Sequence, residues 1–301
     1  LIKKNSGEID NLRGFLNGFQ INSGIIKFNN TNSLNVEGNL KSNIVLNKLY
    51  LSNILKNKIQ QNFEDFQLIG SIQKNFQIQF DQTLKITNYQ LEASGNIKKC
   101  EIRLSEPQKY LFLKNYIKKL NIEKSDFKIN YSQKNEKSLN INGSYKINEN
   151  SFQKFELKHF YESNSQKIFI DGDFDEEIII PILNYNSKNQ VINLNTELET
   201  NNNKINLKKL SLSQGKNNIN IKNLYLNNKK LVKFDNITVK TIKKNKFNND
   251  FQINYGKTIK IKGQNYDATN LTKLLDQSGS SNFLKNVSKE ISININEITN
   301  N

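Results

Sequence analysis

The side chains that most often carry catalysis or bind metal ions are scarce in this chain. His159 is the single histidine and Cys100 the single cysteine among 301 residues. One histidine excludes a multi-histidine metal site, and one cysteine excludes an internal disulfide. No base is evident beside a nucleophile, and no carboxylate pair stands out as the acid and base of a glycan-processing enzyme. The sequence therefore predicts no catalytic residue, no metal site, no cofactor and no enzymatic activity.

The densest acidic cluster, Asp171–Glu177, is the remaining candidate for cation binding. Its sequence, DGDFDEE, has glycine at the second position, whereas a calcium-binding EF-hand loop needs glycine at the sixth. If the segment is a strand, Asp171, Asp173 and Asp175 share one face, because side chains alternate along a strand. The pattern favours a solvent-exposed acidic face over a cation site.

Positive charge is the strongest feature of the composition. The 44 Lys and Arg residues exceed the 28 Asp and Glu residues, which gives a formal net charge of +16. Such a charge could attract an anionic partner. The lysines, however, are spread along strand-like segments and form no dense basic block, as a nucleic-acid-binding surface with interleaved aromatics would. We therefore expect that the charge reflects composition and that nucleic acid is not a partner.

The chain contains no Met, so we expect it to be a fragment or processed product of a longer protein, beginning at Leu1. No uninterrupted apolar run approaches the roughly 20 residues of a membrane-spanning helix. The longest run, Ile178–Leu183, is interrupted by Pro181. Hydrophobic residues make up 36% of the chain, which is below the roughly 45–50% of ordinary globular domains. This fraction favours one extended structure over two domains with thick cores.

One strand pattern recurs along the sequence, with apolar residues at alternate positions followed by an in-register glycine. The glycine falls on the apolar face, where a side chain would normally fill a core. Its absence lets a sheet coil sharply or leaves room for another molecule to lie on the sheet. The spacing is irregular, which excludes a fixed-period repeat array. The glycines in this pattern are Gly38, Gly70, Gly95, Gly143, Gly172 and Gly263.

Strands that follow one another without intervening helices predict an antiparallel meander. Alternation with a modest apolar content is typical of a sheet that is buried on one face and wet on the other. We therefore predict a mostly β fold, an elongated, twisted antiparallel sheet curled into an open groove, with two short helices. We predict a single extended segment over residues 1–301. Asn-rich turns are predicted between the strands, because Asn tolerates the left-handed backbone conformation. They lie at Asn201–Asn203, Asn217-Asn218, Asn227-Asn228 and Asn248-Asn249.

Two segments have the signature of a helix. Ser105-Glu106-Pro107 is a typical helix start, and apolar residues at helical spacing continue the pattern over Pro107–Leu120. A second stripe, formed by Leu271, Leu274 and Leu275, predicts a helix over Leu271–Gln277. Residues 46–63 allow either a strand with a loop or a short helix, and the sequence does not decide between them.

The segment Gly263–Leu275 resembles the closing motif of AsmA-like C-terminal regions in large bacterial envelope proteins. In that motif a strand ends in glycine, and an aromatic-Asp-Ala step, here Tyr266-Asp267-Ala268, leads into a Leu-rich helix. The upstream segment Leu210–Phe251 is similar to the strands that precede the motif. The resemblance covers residues 126–299 well and residues 1–125 loosely.

The resemblance implies a repeating-β-groove, bridge-like lipid transfer protein. Such proteins are anchored in the inner membrane of Gram-negative bacteria by an N-terminal helix and extend through the periplasm. Phospholipid acyl chains lie on the apolar inner face of the groove. The expected role is therefore to carry or shield phospholipid for outer-membrane biogenesis, with other envelope proteins as possible partners. The alternative is a β-rich surface or adhesin-type structural binding module, which would use the same strands without an open apolar face.

The alternation and the resemblance together predict which residues line the lipid path. The apolar positions and in-register glycines of three strands should point into it, and their polar neighbours should point away. The predicted groove residues are Leu139, Ile141, Gly143, Ile168, Ile170, Gly172, Ile259, Ile261 and Gly263.

Overall fold

A computed structural model of the chain describes residues 5–16, 18–30, 33–55, 63–133, 137–162, 164–188, 190–228, 230–271 and 289–300. Most of these residues lie in strands, which confirms the predicted mostly β fold. The chain divides into two compact units. Unit 1 comprises Leu1–Gln108 and Ile117–Glu162, and unit 2 comprises Lys109–Tyr116 and Ser163–Asn301. The single extended segment over residues 1–301 stays a prediction.

Unit 1 is an antiparallel meander in which each strand from β3 to β8 pairs with the next strand along the chain. The first two strands, β1 and β2, both pair with β3. Its elements are β1 Asn5–Ile9, β2 Gly14–Leu16, β3 Phe19–Asn30, β4 Leu34–Asn47, α1 Lys48–Leu55, β5 Phe63–Phe80, β6 Ile86–Gln108, β7 Ile117–Ser132, β8 Lys137–Ile147 and β9 Gln153–Glu162.

The alternation of apolar and polar residues that predicts these strands also determines which side of each strand is buried. In β4, Ser42, Ile44 and Leu46 are buried, whereas Lys41 and Val45 are exposed. Ile44 and Leu46 join one core cluster with side chains of β5 and β6. Helix α1 packs on the same cluster through Tyr50 and Leu51. The structure thus resolves the open question at residues 46–63 in favour of a helix over Lys48–Leu55, and residues 56–62 lie outside the described residues.

Unit 2 continues the antiparallel pattern from β10 to β19, with two short strands and a 3-10 helix inserted between β10 and β13. Its elements are β10 Ser165–Phe174, β11 Ile179–Ile180, the 3-10 helix Pro181–Leu183, β12 Tyr185–Asn186, β13 Ile192–Asn201, β14 Lys204–Gln214, β15 Asn217–Asn227, β16 Lys230–Lys233, β17 Asn236–Lys243, β18 Lys246–Tyr255, β19 Ile259–Asp267 and β20 Ile291–Thr299.

The final strand, β20, departs from the predicted antiparallel order. It pairs with β19 in parallel, with Ile261 opposite Ile293 and Gly263 opposite Ile295. A parallel neighbour needs a crossover connection of a dozen or more residues. The chain between β19 and β20, residues 268–290, is long enough for one. The sheet of unit 2 is therefore mixed.

The predicted helix over Pro107–Leu120 is wrong. Strand β6 runs to Gln108, residues 109–116 form turns, and β7 starts at Ile117. The apolar residues of the predicted helix instead pair with different parts of the chain. Leu120 pairs with Ile102 of β6, and Leu113 forms a bridge to Ile178. Strand pairing with distant residues overrides the local helix signal. Of the second predicted helix, Leu271–Gln277, only Leu271 lies within the described residues.

Several Asn-rich turns adopt the predicted backbone conformation, and others do not. Asn202 (φ 50°) and Asn228 (φ 47°) have positive φ values, as expected at turns between strands. Asn217 and Asn218, by contrast, begin β15, and the preceding turn uses Gly215 at φ 57°. Asn248 and Asn249 lie within β18, and the turn before that strand is at Lys244 and Asn245. The turn residue is thus predictable by type but not always by position.

Candidate functional site

In unit 2, the inward residues of successive strands line up in cross-strand rows that form one apolar face. Two adjacent rows run from β10 to β20, and together they define the unit 2 apolar face. The first row is Gly172, Leu194, Leu212, Ile219, Val239, Phe251, Gly263 and Ile295, and the second is Ile170, Thr196, Leu210, Ile221, Ile237, Ile253, Ile261 and Ile293.

A cap segment, residues 175–188, covers one end of this face. Ile178, Leu183 and Tyr185 of the cap are buried in one cluster with Ile192 and Val239. Ile192 has no exposed surface and Val239 is 2% exposed. Full burial of such side chains stabilises the fold by about 1.5–3 kcal/mol each, so the cap is an integral part of the core of unit 2.

A buried polar network fixes the cap to the sheet. The Asn249 side chain, which has no exposed surface, donates hydrogen bonds to the Leu183 carbonyl (2.6 Å) and to Thr241 Oγ1 (2.7 Å). Its Oδ1 accepts the Asp267 N–H at 3.0 Å, and Asp267 Oδ2 accepts from Asn184 Nδ2 at 2.8 Å. Because hydrogen bonds are directional, this network determines where the 3-10 helix sits on the strands.

The same network affects the ionisation of Asp267, which is 3% exposed. Burial on its own raises the pKa of this carboxyl, but hydrogen bonds from Thr269, Asn184 and Asn248 outweigh it and hold the pKa below its ordinary value. The Lys243 ammonium lies 3.7 Å from Asp267 Oδ2. Asp267 is therefore charged at neutral pH and acts as a structural anchor.

The acidic cluster Asp171–Glu177 corrects the sequence prediction in part. Asp171 is exposed as expected, but Glu176 is 1% exposed and Glu177 is 4% exposed. The alternation ends because β10 stops at Phe174 and the chain turns into the cap. Hydrogen bonds from Lys114 Nζ (2.8 Å) and Asn186 Nδ2 (2.8 Å) lower the pKa of Glu177. Glu177 therefore helps to hold the cap, and neither glutamate belongs to a solvated surface.

Beyond the cap, the unit 2 apolar face is only partly covered. Every residue of the second row except Ile293 is half-buried, and Ile293 itself is 61% exposed. The neighbouring Ile291 of β20 is 47% exposed. A contiguous, partly exposed apolar strip is typical of a surface that binds an apolar partner or ligand.

The predicted groove residues fall into both units. Ile170 and Ile261 are half-buried in the second row of the unit 2 apolar face. Ile168 of β10 is also half-buried, and Ile259 of β19 is buried at 6% exposure. Leu139, Ile141 and Gly143 lie on β8 of unit 1. The polar neighbours Asp171 and Lys260 are exposed, as the alternation requires. Their assignment as a lipid path stays a prediction.

Atoms of the neighbouring strands fill the space beside the in-register glycines Gly143 and Gly263. A Cβ at Gly143 would lie 2.5 Å from the Ser125 Cα, and one at Gly263 would lie 2.5 Å from the Phe251 Cα. Both sites coincide with register shifts. The extra residues lie in β7 opposite Gly143, and in β19 at Gln264 next to Gly263. Bulges increase local twist. The geometry therefore favours the bending role of these glycines over a role in leaving room for a ligand.

The unit 1 apolar face is built from equivalent rows. One row contains Leu40, Lys74, Ala93, Ile129, Leu139 and His159, and the next contains Ser42, Ile72, Gly95, Phe127, Ile141 and Leu157. Lys74 was missed by the sequence analysis. The sequence shows that a lysine lies on this face, because in β5 Lys74 interrupts the alternation of apolar residues between Ile72 and Phe76.

Cys100 and His159 do not form a site. Cys100 is buried in the core cluster of unit 1, and burial raises the pKa of its thiol to about 11, so it is a core side chain and a poor nucleophile. In the described part of the chain, no group of three or more His, Cys, Asp or Glu side chains could hold a metal ion. None of the helices described is long and apolar enough to cross a bilayer.

Comparison of the chain with protein-family models, with curated proteins and with solved structures finds no match.

Proposed function

We propose that this protein binds the acyl chains of phospholipid on the apolar faces of its sheets and carries or shields them from water. The observation that supports this most directly is the second row of the unit 2 apolar face. Its side chains are apolar from Leu210 to Ile293 but remain half-buried or exposed. Covering such a strip with a hydrocarbon chain would remove apolar surface from water, worth roughly 25 cal/mol per Å².

The bulges and in-register glycines support the same function. They increase the local twist of the strands, and a curled one-sided sheet offers an apolar trough with a polar outer surface. The resemblance of Gly263–Leu275 to AsmA-like closing motifs supports a periplasmic location, a parent protein anchored in the inner membrane, and a role in outer-membrane biogenesis. In this proposal the protein has no catalytic role.

A paired crosslinking experiment tests the proposal. A photo-crosslinking amino acid replaces Ile261, which is half-buried on the apolar face, or Lys262, which is exposed on the opposite face. After expression in a Gram-negative host and irradiation, mass spectrometry identifies adducts. We expect phospholipid adducts at position 261 and none at position 262. Equal labelling at both positions, or no lipid at either, would contradict a lipid-binding face.

A further inference from the structure

One turn of unit 2 has apolar side chains at its tip. The Leu113 N–H donates to the Tyr110 carbonyl at 3.2 Å, as in a β-turn with Leu111 and Phe112 at its two central positions. Gly, Pro, Asn, Asp and Ser ordinarily occupy such positions, and another turn of unit 2 uses Asn202-Asn203. Local turn geometry therefore does not explain a leucine and a phenylalanine at this tip.

The side chains of this turn project into solvent. Leu111 is 87% exposed, and Tyr110, Phe112 and Tyr116 are 53%, 49% and 58% exposed. Among the described residues, Leu111 is the most exposed large apolar side chain. Single exposed apolar residues are ordinary, but several together indicate a surface that binds a partner. We call residues 109–116 the projecting turn.

The backbone beneath the tip is attached to the cap. The Lys114 N–H donates to the Glu177 carbonyl at 2.9 Å, and the Phe112 carbonyl accepts from the Ile179 N–H at 2.8 Å. Leu113 packs against the core cluster of unit 2. The cap thus holds the exposed side chains outward on a fixed base. Because these backbone groups are already paired, little is lost when the tip enters an apolar medium.

The residue types around the tip suit the boundary between headgroups and acyl chains of a bilayer. The segment KYLFLKNY, residues 109–116, contains two lysines and no acidic residue. Lys109 is exposed, and its ammonium lies 5.2 Å from the centroid of the Tyr116 ring. In interfacial anchors, Leu and Phe enter the acyl boundary while Tyr and Lys stay among the headgroups. A projecting tip can be buried in another protein only where that protein has a matching pocket, whereas a bilayer accommodates it without one.

We propose that the projecting turn docks unit 2 on the surface of a phospholipid bilayer. Leu111 and Phe112 enter the acyl boundary, and Tyr110, Tyr116 and Lys109 lie among the headgroup phosphates. Docking of this kind brings the protein to the surface where lipid is taken up or delivered. The inference does not require acyl chains on the apolar faces of the sheets, so it goes beyond the proposed function and is tested separately from it.

Single-tryptophan fluorescence of the full chain tests this docking, because the sequence contains no Trp. Phe112→Trp places the reporter in the projecting turn. Phe247→Trp is the matched control, at a phenylalanine of unit 2 that is 43% exposed. The probe is a vesicle of equal parts phosphatidylcholine and phosphatidylglycerol in about 1 M salt, where the Debye length is about 3 Å and attraction by net charge is screened. We expect only Phe112→Trp to shift its emission to the blue and to be quenched by lipids brominated on their acyl chains.

A second pair of variants measures the part of the leucine. In the Phe112→Trp background, Leu111→Asn should weaken vesicle binding roughly tenfold, because full burial of a leucine side chain corresponds to a factor of about that size. Leu84→Asn makes the same change at a turn of unit 1, where the leucine is 68% exposed, and should leave binding unchanged. Equal effects of these two variants would overturn the proposal, as would quenching at position 247 or none at position 112.

A photo-crosslinker at Tyr110, used in Gram-negative cells, distinguishes a membrane from a protein partner. Lipid adducts support docking on a bilayer. Protein adducts without lipid would show that the projecting turn binds another protein, and the membrane assignment would be wrong. If position 112 is quenched while a crosslinker at Ile261 captures no lipid, the docking inference stands and the proposed function fails.

Discussion

The apolar faces of units 1 and 2 are each covered at one end, but by different physical means. In unit 1, helix α1 packs Tyr50 and Leu51 on the core cluster, and its first turn has no acidic and its last turn no basic residue. In unit 2, the cap is held by the hydrogen bonds of Asn249, Asp267 and Glu177. Apolar contact is non-directional, whereas hydrogen bonds require defined geometry. We therefore expect the α1 cover to move more readily than the cap of unit 2.

The largest expected effect comes from breaking the polar network of unit 2. Asn249→Ala would leave the Leu183 carbonyl, the Thr241 hydroxyl and the Asp267 N–H without their present partner. Because buried unsatisfied groups cost about 1–3 kcal/mol each, the variant should lose about 3–4 kcal/mol of unfolding free energy. Denaturant titration measures the loss, and hydrogen exchange should locate it in residues 181–186 and 241–249.

The control for that variant is Asn254→Ala. Asn254 is half-buried and accepts one side-chain hydrogen bond, from Asn236 Nδ2 at 2.9 Å. It should cost less than about 1 kcal/mol. Equal losses in the two variants would show that the network around Asn249 has no special part in holding the cap.

The next effect tests what the two units share, which is a glycine at a bulge. Gly143→Ala in unit 1 and Gly263→Ala in unit 2 would each place a methyl group within 2.5 Å of a neighbouring backbone Cα. Forcing extra volume into a packed site costs about 1–3 kcal/mol, so both variants should lose about 2 kcal/mol in thermal or denaturant unfolding.

Gly14→Ala is the matched control, since a Cβ there would meet nothing within 4 Å. Replacing glycine by alanine at a compatible position reduces the entropy of the unfolded chain. This variant should be neutral or slightly stabilised. If Gly143→Ala behaves in the same way, the close approach of β7 to β8 does not constrain the sheet.

A smaller loss of stability is expected when the apolar packing of α1 on unit 1 is weakened. Leu51→Ala shortens a half-buried side chain that packs on the core cluster, and we expect a loss of about 1 kcal/mol. Partial release of α1 should also increase the fluorescence of a dye that binds apolar surface. Leu49→Ala, at a position that is 65% exposed on the same helix, should change neither measurement. Unchanged dye binding in Leu51→Ala would mean that Leu51 does not hold the helix.

The smallest expected effect is a difference between the cap of unit 2 and helix α1 in their response to acid. The pKa values of Asp267 and Glu177 are lowered in the folded protein. A carboxyl with a lowered folded pKa contributes stability that is present above its unfolded pKa, about 4, and is lost as the pH falls through the folded value. Amide resonances of the cap should therefore broaden or shift between about pH 5 and pH 3, before those of α1. Asp267→Asn should reduce this pH dependence, and an identical response of the two covers would contradict the comparison.

Local pattern made the strands and their faces predictable. The period of two in Leu139 and Ile141, or in Ile259 and Ile261, was sufficient because side chains alternate strictly along a strand. The helix over Pro107–Leu120 failed for the opposite reason. A local signal, Ser105-Glu106-Pro107, competed with strand pairing to residues that are distant in the sequence, and the pairing prevailed.

The sequence by itself determined a mostly β chain with one apolar face per strand, because alternation and turn residues act over only a few positions. Only the tertiary structure decided how that face is used. It buries Glu176 and Glu177 in a cap, fills the space beside Gly143 and Gly263 with neighbouring strands, and places Lys74 among apolar side chains. These features depend on strand register and on contacts between residues far apart in the chain, and such contacts leave no periodic trace in the sequence.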